Sequence, residues 1–398
     1  MNNFDFYSPT RFVFGAGREN ETGQWVRAVG GSRVLIHYGG GSVIRSGLLE
    51  RVVRSLDEAG IWSIQLGGVQ PNPRDTMVYD GIELCRREKI DLVLGIGGGS
   101  ALDSAKAIAI GTCYDGDFRD IYLGKAKPVG RLLLGTIITL PATGSEGSNS
   151  SVIYWTANRQ KRGLRSDLNR PDFSVMNPEL TYSLPPWQIA CGASDIISHA
   201  LERYFTKTTD VDVTDRLCEA VIATVLKMAG PAIENPKDYG PRANLMWAST
   251  IAHNGSLGIG RQEDWSVHAM EAEIGAKYDT AHGAGLSALN PAWLQRLLPR
   301  DPSLLAQLSA RVFGVPMDEA DPAKTARAGI RALVRFYQSL GLPVSLQELG
   351  VRREDLAEMT KNVKRNPSGT CGYYEPLTTE DVLELYEQAF DWSLSRLD

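Results

Sequence analysis

The sequence is poor in several residues and patterns that mark large classes of protein. Only five of its 398 residues are cysteine, at Cys85, Cys113, Cys191, Cys218 and Cys371. They are odd in number, scattered and never in a CxxC pair. That argues against a disulfide framework and a thiolate metal site, and it fits a reducing cytoplasm. Basic charge is not in excess: 42 Lys and Arg against 47 Asp and Glu leave a net charge of −5. Neither a nucleic acid nor an acidic membrane is therefore expected as a partner. No run approaches the roughly eighteen apolar residues of a membrane span. The opening MNNFDFYSPTRFVFG has no basic stretch followed by an apolar one, so no signal peptide is expected. Internal repeats and low-complexity segments are also missing. Histidine is as scarce as cysteine, with five in the chain, so where the histidines fall carries information.

What is present describes an ordinary globular chain, with 43% hydrophobic and 22% charged residues. At this length two domains are the default. Up to about residue 186, β-branched runs alternate with helical stretches: RVLIHYGGG (33–41), SGLLERVVRSLDEAG (46–60), WSIQLGG (62–68), TMVYDGIELCRREK (76–89), IDLVLGIGGGS (90–100) and ALDSAKAIAIG (101–111). LLGTIITLPATGSEGSNSSVIYW (133–155) adds strand with a Ser/Thr/Gly-rich loop, and residues 6–17 read as an extra strand or hairpin at an edge. Alternation with glycines at strand carboxyl ends predicts a mostly parallel, Rossmann-like α/β domain over 1–186. From 187 to 398 the periodicity is helical throughout, which predicts an all-α second domain.

Two glycine clusters close strands in the first domain. Gly39-Gly40-Gly41-Ser42 follows the strand at 34–38, and Gly97-Gly98-Gly99-Ser100 opens a helix carrying Asp103 and Lys106. Glycine permits close backbone approach, and helix N-terminal amides attract phosphate oxygens. Neither cluster is the GxGxxG fingerprint, and either alone reads equally well as a tight β–α turn. Together they suit a dinucleotide. NAD enzymes often carry Asp or Glu just beyond such a strand to bind the ribose hydroxyls. Here Gly39 to Ser42 offer no carboxylate, so NADP is favoured over NAD. LPATGSE (140–146) offers hydroxyls and amides for ribose or nicotinamide, though it also reads as a Ser/Thr-rich turn. Lys161 could reach a ribose or phosphate, with a surface lysine as its plainer reading.

The remaining signal is Asp195, His199, His268 and His282. Asp195 and His199 stand four apart in CGASDIISHALERYF, on one face of a helix. His268 lies in DWSVHAMEAEIGA and His282 in YDTAHGAGL. One carboxylate and three imidazoles suit a borderline divalent metal such as zinc or ferrous iron. Taken singly, each has a plainer reading as a packed histidine or a surface pair. His253, before an Asn-Gly turn, reads as capping or packing, and His37, inside a strand, as structural.

GGGSALDSAK, TLPATGSE, Asp195-x3-His199 and the later His268 and His282 together resemble the iron-containing (group III) alcohol dehydrogenase family. The likeness runs from SPTRFVFG to at least PAWL (291–294), and YGGGSV and PNP resemble its NADPH-dependent butanol dehydrogenase or aldehyde reductase branch. The resemblance implies a dehydroquinate synthase-like architecture with the active site in the cleft between the domains. It implies Asp195, His199, His268 and His282 as ligands of Fe2+ or Zn2+. It further implies cofactor contacts from Gly39, Gly40, Ser42, Asn72, Gly98, Gly99, Ser100, Asp103, Thr139, Thr143 and Lys161. The expected reaction is hydride transfer between NADP(H) and a small aldehyde or primary alcohol, in a cytoplasmic homodimer. Two departures stand out. Many members carry a histidine four residues after the third ligand, where this chain has Ala272, so a water chain or the cofactor ribose is expected to pass the proton. Ser148 stands where an asparagine is expected to touch the nicotinamide end.

Two alternatives share the fold. A dehydroquinate synthase-type lyase needs Lys and Arg around the metal, whereas Trp265, Met270 and Tyr278 near the last two histidines suggest an apolar pocket. An NAD-dependent polyol dehydrogenase of the glycerol type goes with a different acidic and histidine pattern.

Overall fold

The computed structural model describes residues 1–398, which form two compact units. The first comprises Tyr7–Leu184 and Lys237–Gly255, and the second Met1–Phe6, Pro185–Pro236 and Ser256–Asp398.

The first unit is built on six strands, β1 (Arg11–Phe14), β2 (Arg33–Tyr38), β3 (Trp62–Gly67), β4 (Leu92–Gly97), β5 (Leu133–Ile138) and β8 (Phe173–Met176). A separate hairpin pairs β6 (Ser150–Trp155) with β7 (Gln160–Arg165). Every pairing in the six-stranded sheet is parallel, in the order β1-β8-β5-β4-β2-β3, and the hairpin is antiparallel. The helices between strands are α1 (Thr22–Ala28), α2 (Ser42–Arg45), α3 (Leu48–Glu58), α4 (Asp75–Arg87), α5 (Gly99–Thr112) and α6 (Phe118–Tyr122).

The strand sequences explain the layering. Residues 34–36 of β2 and the whole of β4 are apolar runs, as strands covered on both faces require, and alternate residues serve opposite cores. Val34, Ile36, Leu92 and Leu94 pack with Val26 of α1 and Leu48, Val52 and Leu56 of α3. Leu35 and Val93 pack on the other face with Val78 and Ile82 of α4 and Ile108 of α5. Chain order reverses between β2 and β4, which makes their carboxyl ends the switch point where doubly wound sheets bind ligands. Both glycine clusters lie there. The edge strand β1 occupies part of the 6–17 segment expected at an edge. β7, QKRGLR, is a strand without apolar alternation and lies where the sequence suggested only a charged stretch.

The second unit contains α7 (Pro186–Tyr204), α8 (Asp212–Glu234), α10 (Ser266–Tyr278), α11 (His282–Leu297), α12 (Ser303–Phe313), α13 (Pro322–Ser339), α14 (Leu356–Asn362) and α15 (Thr379–Phe390). It has no strand, only an isolated bridge between Cys371 and Leu377. α9 (Tyr239–His253) belongs with the first unit, where Trp247 packs edge-on against Phe12 and Phe14 and Met246 joins the core of Leu102, Ile138 and Met176. No helix is long and apolar enough to cross a membrane.

Candidate metal and cofactor sites

α7 is the spine of the candidate metal site. Pro186 begins it, where a missing N–H costs nothing, and residues 189–204 are buried. Four-residue spacing puts Asp195 and His199 on one face, and the His199 Nδ1 lies 3.3 Å from the Asp195 Oδ1. α10 contributes His268. Trp265 precedes α10 at φ 69°, a left-handed conformation rare for a bulky side chain, and Asp264 accepts hydrogen bonds from the Ser266, Tyr373 and Tyr374 amides. Burial and the neighbouring Glu202 push the Asp264 carboxyl up to about 6 against those bonds. α11 contributes His282 as its first residue.

The donor atoms of Asp195, His268 and His282 all lie within 4.8 Å of one another. The Asp195 Oδ1 is 3.7 Å from the His268 Nε2 and 3.8 Å from the His282 Nε2. His199 is beside that set rather than in it, its ring stacked on His268 at 4.6 Å between centroids. Asp195 is 2% exposed, yet its Oδ1 and the His268 Nε2 are buried without a hydrogen-bond partner. Orphaned buried donors and acceptors are rare and costly. Two of them aimed at one another, with the His282 Nε2 3.8 Å from the same carboxylate oxygen, supply carboxylate and imidazole chemistry that fits a divalent cation.

Two residues that the sequence reading passed over hold the histidines in place. Glu202 accepts from the His268 Nδ1 at 2.6 Å and from the Val267 and His268 amides at 2.5 and 3.2 Å. Glu271 accepts from the His282 Nδ1. Both glutamates are wholly buried. Burial would lower the His268 pKa, but the Glu202 and Asp195 carboxylates outweigh it and lift it to about 9. A signal was present: Glu202 continues the Asp195–His199 stripe at i+7 along a helix that is otherwise apolar and small on that face. Of the residues expected to make the pocket apolar, Trp265 stands edge-on to His199 and His268, at 6.0 and 5.2 Å. Met270 is fully buried, and Tyr278 donates to Asp355.

The expected cofactor residues occupy the first unit. Gly39 to Ser42 follow β2, Gly98 caps α5 after β4, and Thr139 follows β5, so three adjacent strands end in them. Gly97 takes φ 150°, which favours glycine, and the position of its missing Cβ is 3.9 Å from the Gly39 amide nitrogen. Thr143 packs on Gly99, and Ser100 lies in the first turn of α5. Asn72, at φ 54°, precedes Pro73, whose carbonyl accepts from the Tyr154 amide at 2.9 Å. Tyr154 in turn pairs in register with Lys161.

Asp103 and Ser148 have internal partners. The Asp103 carboxylate accepts from the Ser145 hydroxyl at 2.6 Å and the Val152 amide at 2.8 Å. Ser148 accepts from the buried Lys106 ammonium at 3.2 Å, which burial depresses to about 8 against the pull of Asp103 and Glu146. His37 is structural, bonded to the Leu66 carbonyl and the Ser104 hydroxyl. His253 ends α9 with its Nε2 3.2 Å from the Ser150 hydroxyl.

Comparison with known proteins bears on the family. Residues 9–178 match the iron-containing alcohol dehydrogenase family, and residues 189–390 match the Fe-containing alcohol dehydrogenase family C-terminal region. The chain is 41% identical over 391 residues to NADH-dependent butanol dehydrogenase A of Clostridium acetobutylicum, covering 98% of this chain and 100% of that protein. It is 32% identical over 392 residues to the NADPH-dependent aldehyde reductase YqhD of Escherichia coli, covering 98% and 100%. The crystal structure of NADH-dependent butanol dehydrogenase A from Thermotoga maritima matches with a TM-score of 0.94 at 36% identity, covering 98% of this chain and 99% of that one. A buried carboxylate–imidazole cluster, glycine turns at a sheet switch point and these full-length likenesses agree: the chain belongs to the iron-containing alcohol dehydrogenase family, oxidoreductases that use a metal and a nicotinamide cofactor.

Proposed function

We propose that the chain is an NADP(H)-dependent aldehyde reductase and alcohol dehydrogenase for small aldehydes and primary alcohols, acting as a cytoplasmic homodimer. The observation that carries the reading is the convergence of the donor atoms of Asp195, His268 and His282, of which the Asp195 Oδ1 and the His268 Nε2 are buried without a hydrogen-bond partner. With His199 beside them, these residues would hold Fe2+ or Zn2+, both of which accept such donors. A bound divalent ion supplies Lewis acidity toward a carbonyl or hydroxyl oxygen, and the nicotinamide supplies or takes the hydride. The chain's own part is placement. Asp195 contributes the only anionic donor of the set, and Glu202 and Glu271 hold the Nδ1 protons of His268 and His282. Trp265 shields the two imidazoles it faces. Three carboxylates around the site disfavour an anionic substrate, which argues against a phosphate-eliminating lyase.

The preference for NADP rests on the turn after β2. Gly39 to Ser42 present no carboxylate, and a side chain at Gly40 would meet open space. The exposed Arg45 folds back on this turn, its Nη1 2.3 Å from where a Gly41 Cβ would stand, and an arginine nearby is one way to accommodate a 2′-phosphate. Relatives named for either cofactor exist, so this residue makes the distinction testable. Arg45→Ala is expected to lower kcat/KM with NADPH about fivefold, as an exposed contact worth about 1 kcal/mol would. Values with NADH should stay within about twofold of the parent by the same reasoning. Equal losses with both cofactors would remove Arg45 from the argument. Self-association is supported by Phe4, Phe6 and Tyr7, each about half exposed within one short segment.

The direct test follows oxidation of NADPH and NADH with a panel of aldehydes, before and after chelation and after return of zinc or ferrous iron. Turnover should disappear on chelation and come back with metal. No turnover with any aldehyde, or turnover indifferent to metal, would sink the reading.

A further inference from the structure

We infer that Glu202 and Glu271 are positioning residues that set the metal affinity of the site, each acting from one helix on the histidine of the next. The inference rests on the metal-site reading above and goes beyond its ligands. Along α7, Asp195, His199 and Glu202 share one face, but Glu202 does not serve a neighbour on its own helix. It reaches α10, where its Oε2 takes the His268 Nδ1 proton at 2.6 Å and its Oε1 takes the Val267 and His268 amides at the helix start. Along α10, Glu271 stands one turn after His268 and likewise serves the following helix, taking the Nδ1 proton of His282 at the first position of α11.

When neutral, as metal ligands must be, both imidazoles are thereby held as Nδ1–H tautomers whose Nε2 atoms face Asp195. Fixing the tautomer and ring plane before a cation arrives removes ordering that binding would otherwise require, and a carboxylate on the distal nitrogen raises the ligand's basicity.

Gly285 shows that the second pair is built into the packing. It lies one turn after His282 on α11, and a Cβ there would stand 2.7 Å from the Glu271 Cγ and 2.9 Å from its Oε1. Because Glu271 is fully buried, its carboxylate has nowhere to retreat. The glycine therefore keeps open the slot through which α10 reaches the histidine of α11. This ties the second glycine of HGAG to the metal site through a residue that is not a ligand. It also gives α10 a double duty, as carrier of one ligand and support of another.

Cobalt affinity of the metal-free protein, measured by competition with a chromophoric chelator, tests the assignment without cofactor or aldehyde. Far-UV circular dichroism checks that each variant folds. Glu202→Ala and Glu271→Ala are expected to weaken cobalt binding by about 10- to 100-fold, the usual range for such outer partners. Glu202→Gln and Glu271→Gln keep an acceptor for Nδ1–H but lose the charge, so they should fall between parent and alanine variants. Gly285→Ala should resemble Glu271→Ala although it removes no polar group. If an alanine variant does not fold, the glutamine variant decides. Glutamine or folded alanine variants that bind cobalt as tightly as the parent overturn the inference. Since turnover is not measured, failure of the aldehyde reading leaves this result untouched. Conversely, metal-dependent turnover combined with unchanged cobalt affinities overturns the positioning role alone.

Discussion

Gly283→Ala should cost the protein about 100-fold in kcat and most of its metal, although it adds a single methyl group. A Cβ at position 283 would lie 1.9 Å from the Cys191 carbonyl oxygen and 2.8 Å from the Cys191 Cα. The obstacle is backbone, not a side-chain tip that can swing away. Cys191 lies one turn before Asp195 on α7, and Gly283 directly follows His282 on α11. Relieving the clash moves the two helices apart at the point where they present Asp195 and His282. A displacement of about 1 Å is enough for a loss of that size when geometry carries the catalysis. Overpacking should also lower stability by about 1–3 kcal/mol. Gly230→Ala in α8, where a Cβ meets nothing within 4 Å, is the control and should if anything stabilise its helix. Metal content and kcat at parental levels in Gly283→Ala would show that the helices separate without disturbing the ligands.

The legible and illegible parts of this chain divide along physical lines. β2, β4 and β5 were plain because strands covered on both faces require apolar runs, and glycines after them mark turns at the ligand-binding edge. β7 was not, because QKRGLR pairs only within a small hairpin and buries little, so its residues carry no alternation. α9 read as one more helix of the carboxyl-terminal half. Nothing in its periodicity says that Phe12, Phe14 and Met176, far away in sequence, are what it covers. Asp195, His268 and His282 were readable as a set because few residue types bind metals, and the structure brings these three together. Glu202 and Glu271 escaped notice because each supports a histidine on a different helix, so spacing along one helix points to the wrong partner. The glycines of HGAG escaped for a similar reason. Their role is an absence of volume opposite Cys191 and Glu271, which only the packed structure reveals.

Asp195→Asn should have the other large effect, and its sign should differ between function and stability. Three imidazoles face the Asp195 Oδ1, with nitrogens at 3.3, 3.7 and 3.8 Å, and that oxygen accepts no hydrogen bond. Asparagine keeps the volume but offers a neutral, weaker donor. Removal of an outer carboxylate costs about 10- to 100-fold in metal affinity, so loss of the anionic donor itself should exceed about 100-fold. Turnover should drop by about a thousandfold if the ion contributes about 4 kcal/mol of transition-state stabilisation. Above the raised His268 pKa of about 9, where that imidazole is neutral and needs no counter-charge, stability of the metal-free protein should move the other way or not at all. A buried carboxylate oxygen left without a hydrogen bond costs about 1–3 kcal/mol, and the amide relieves that while its N–H2 can donate to a neighbouring imidazole. Thermal unfolding of the chelated proteins, set beside cobalt titration, separates the two effects. A variant that binds cobalt poorly but melts no lower than the parent marks Asp195 as a residue kept for the metal at a cost to the fold. A variant that melts markedly lower without metal would instead make Asp195 the counter-ion that holds three histidines together, with the cation secondary.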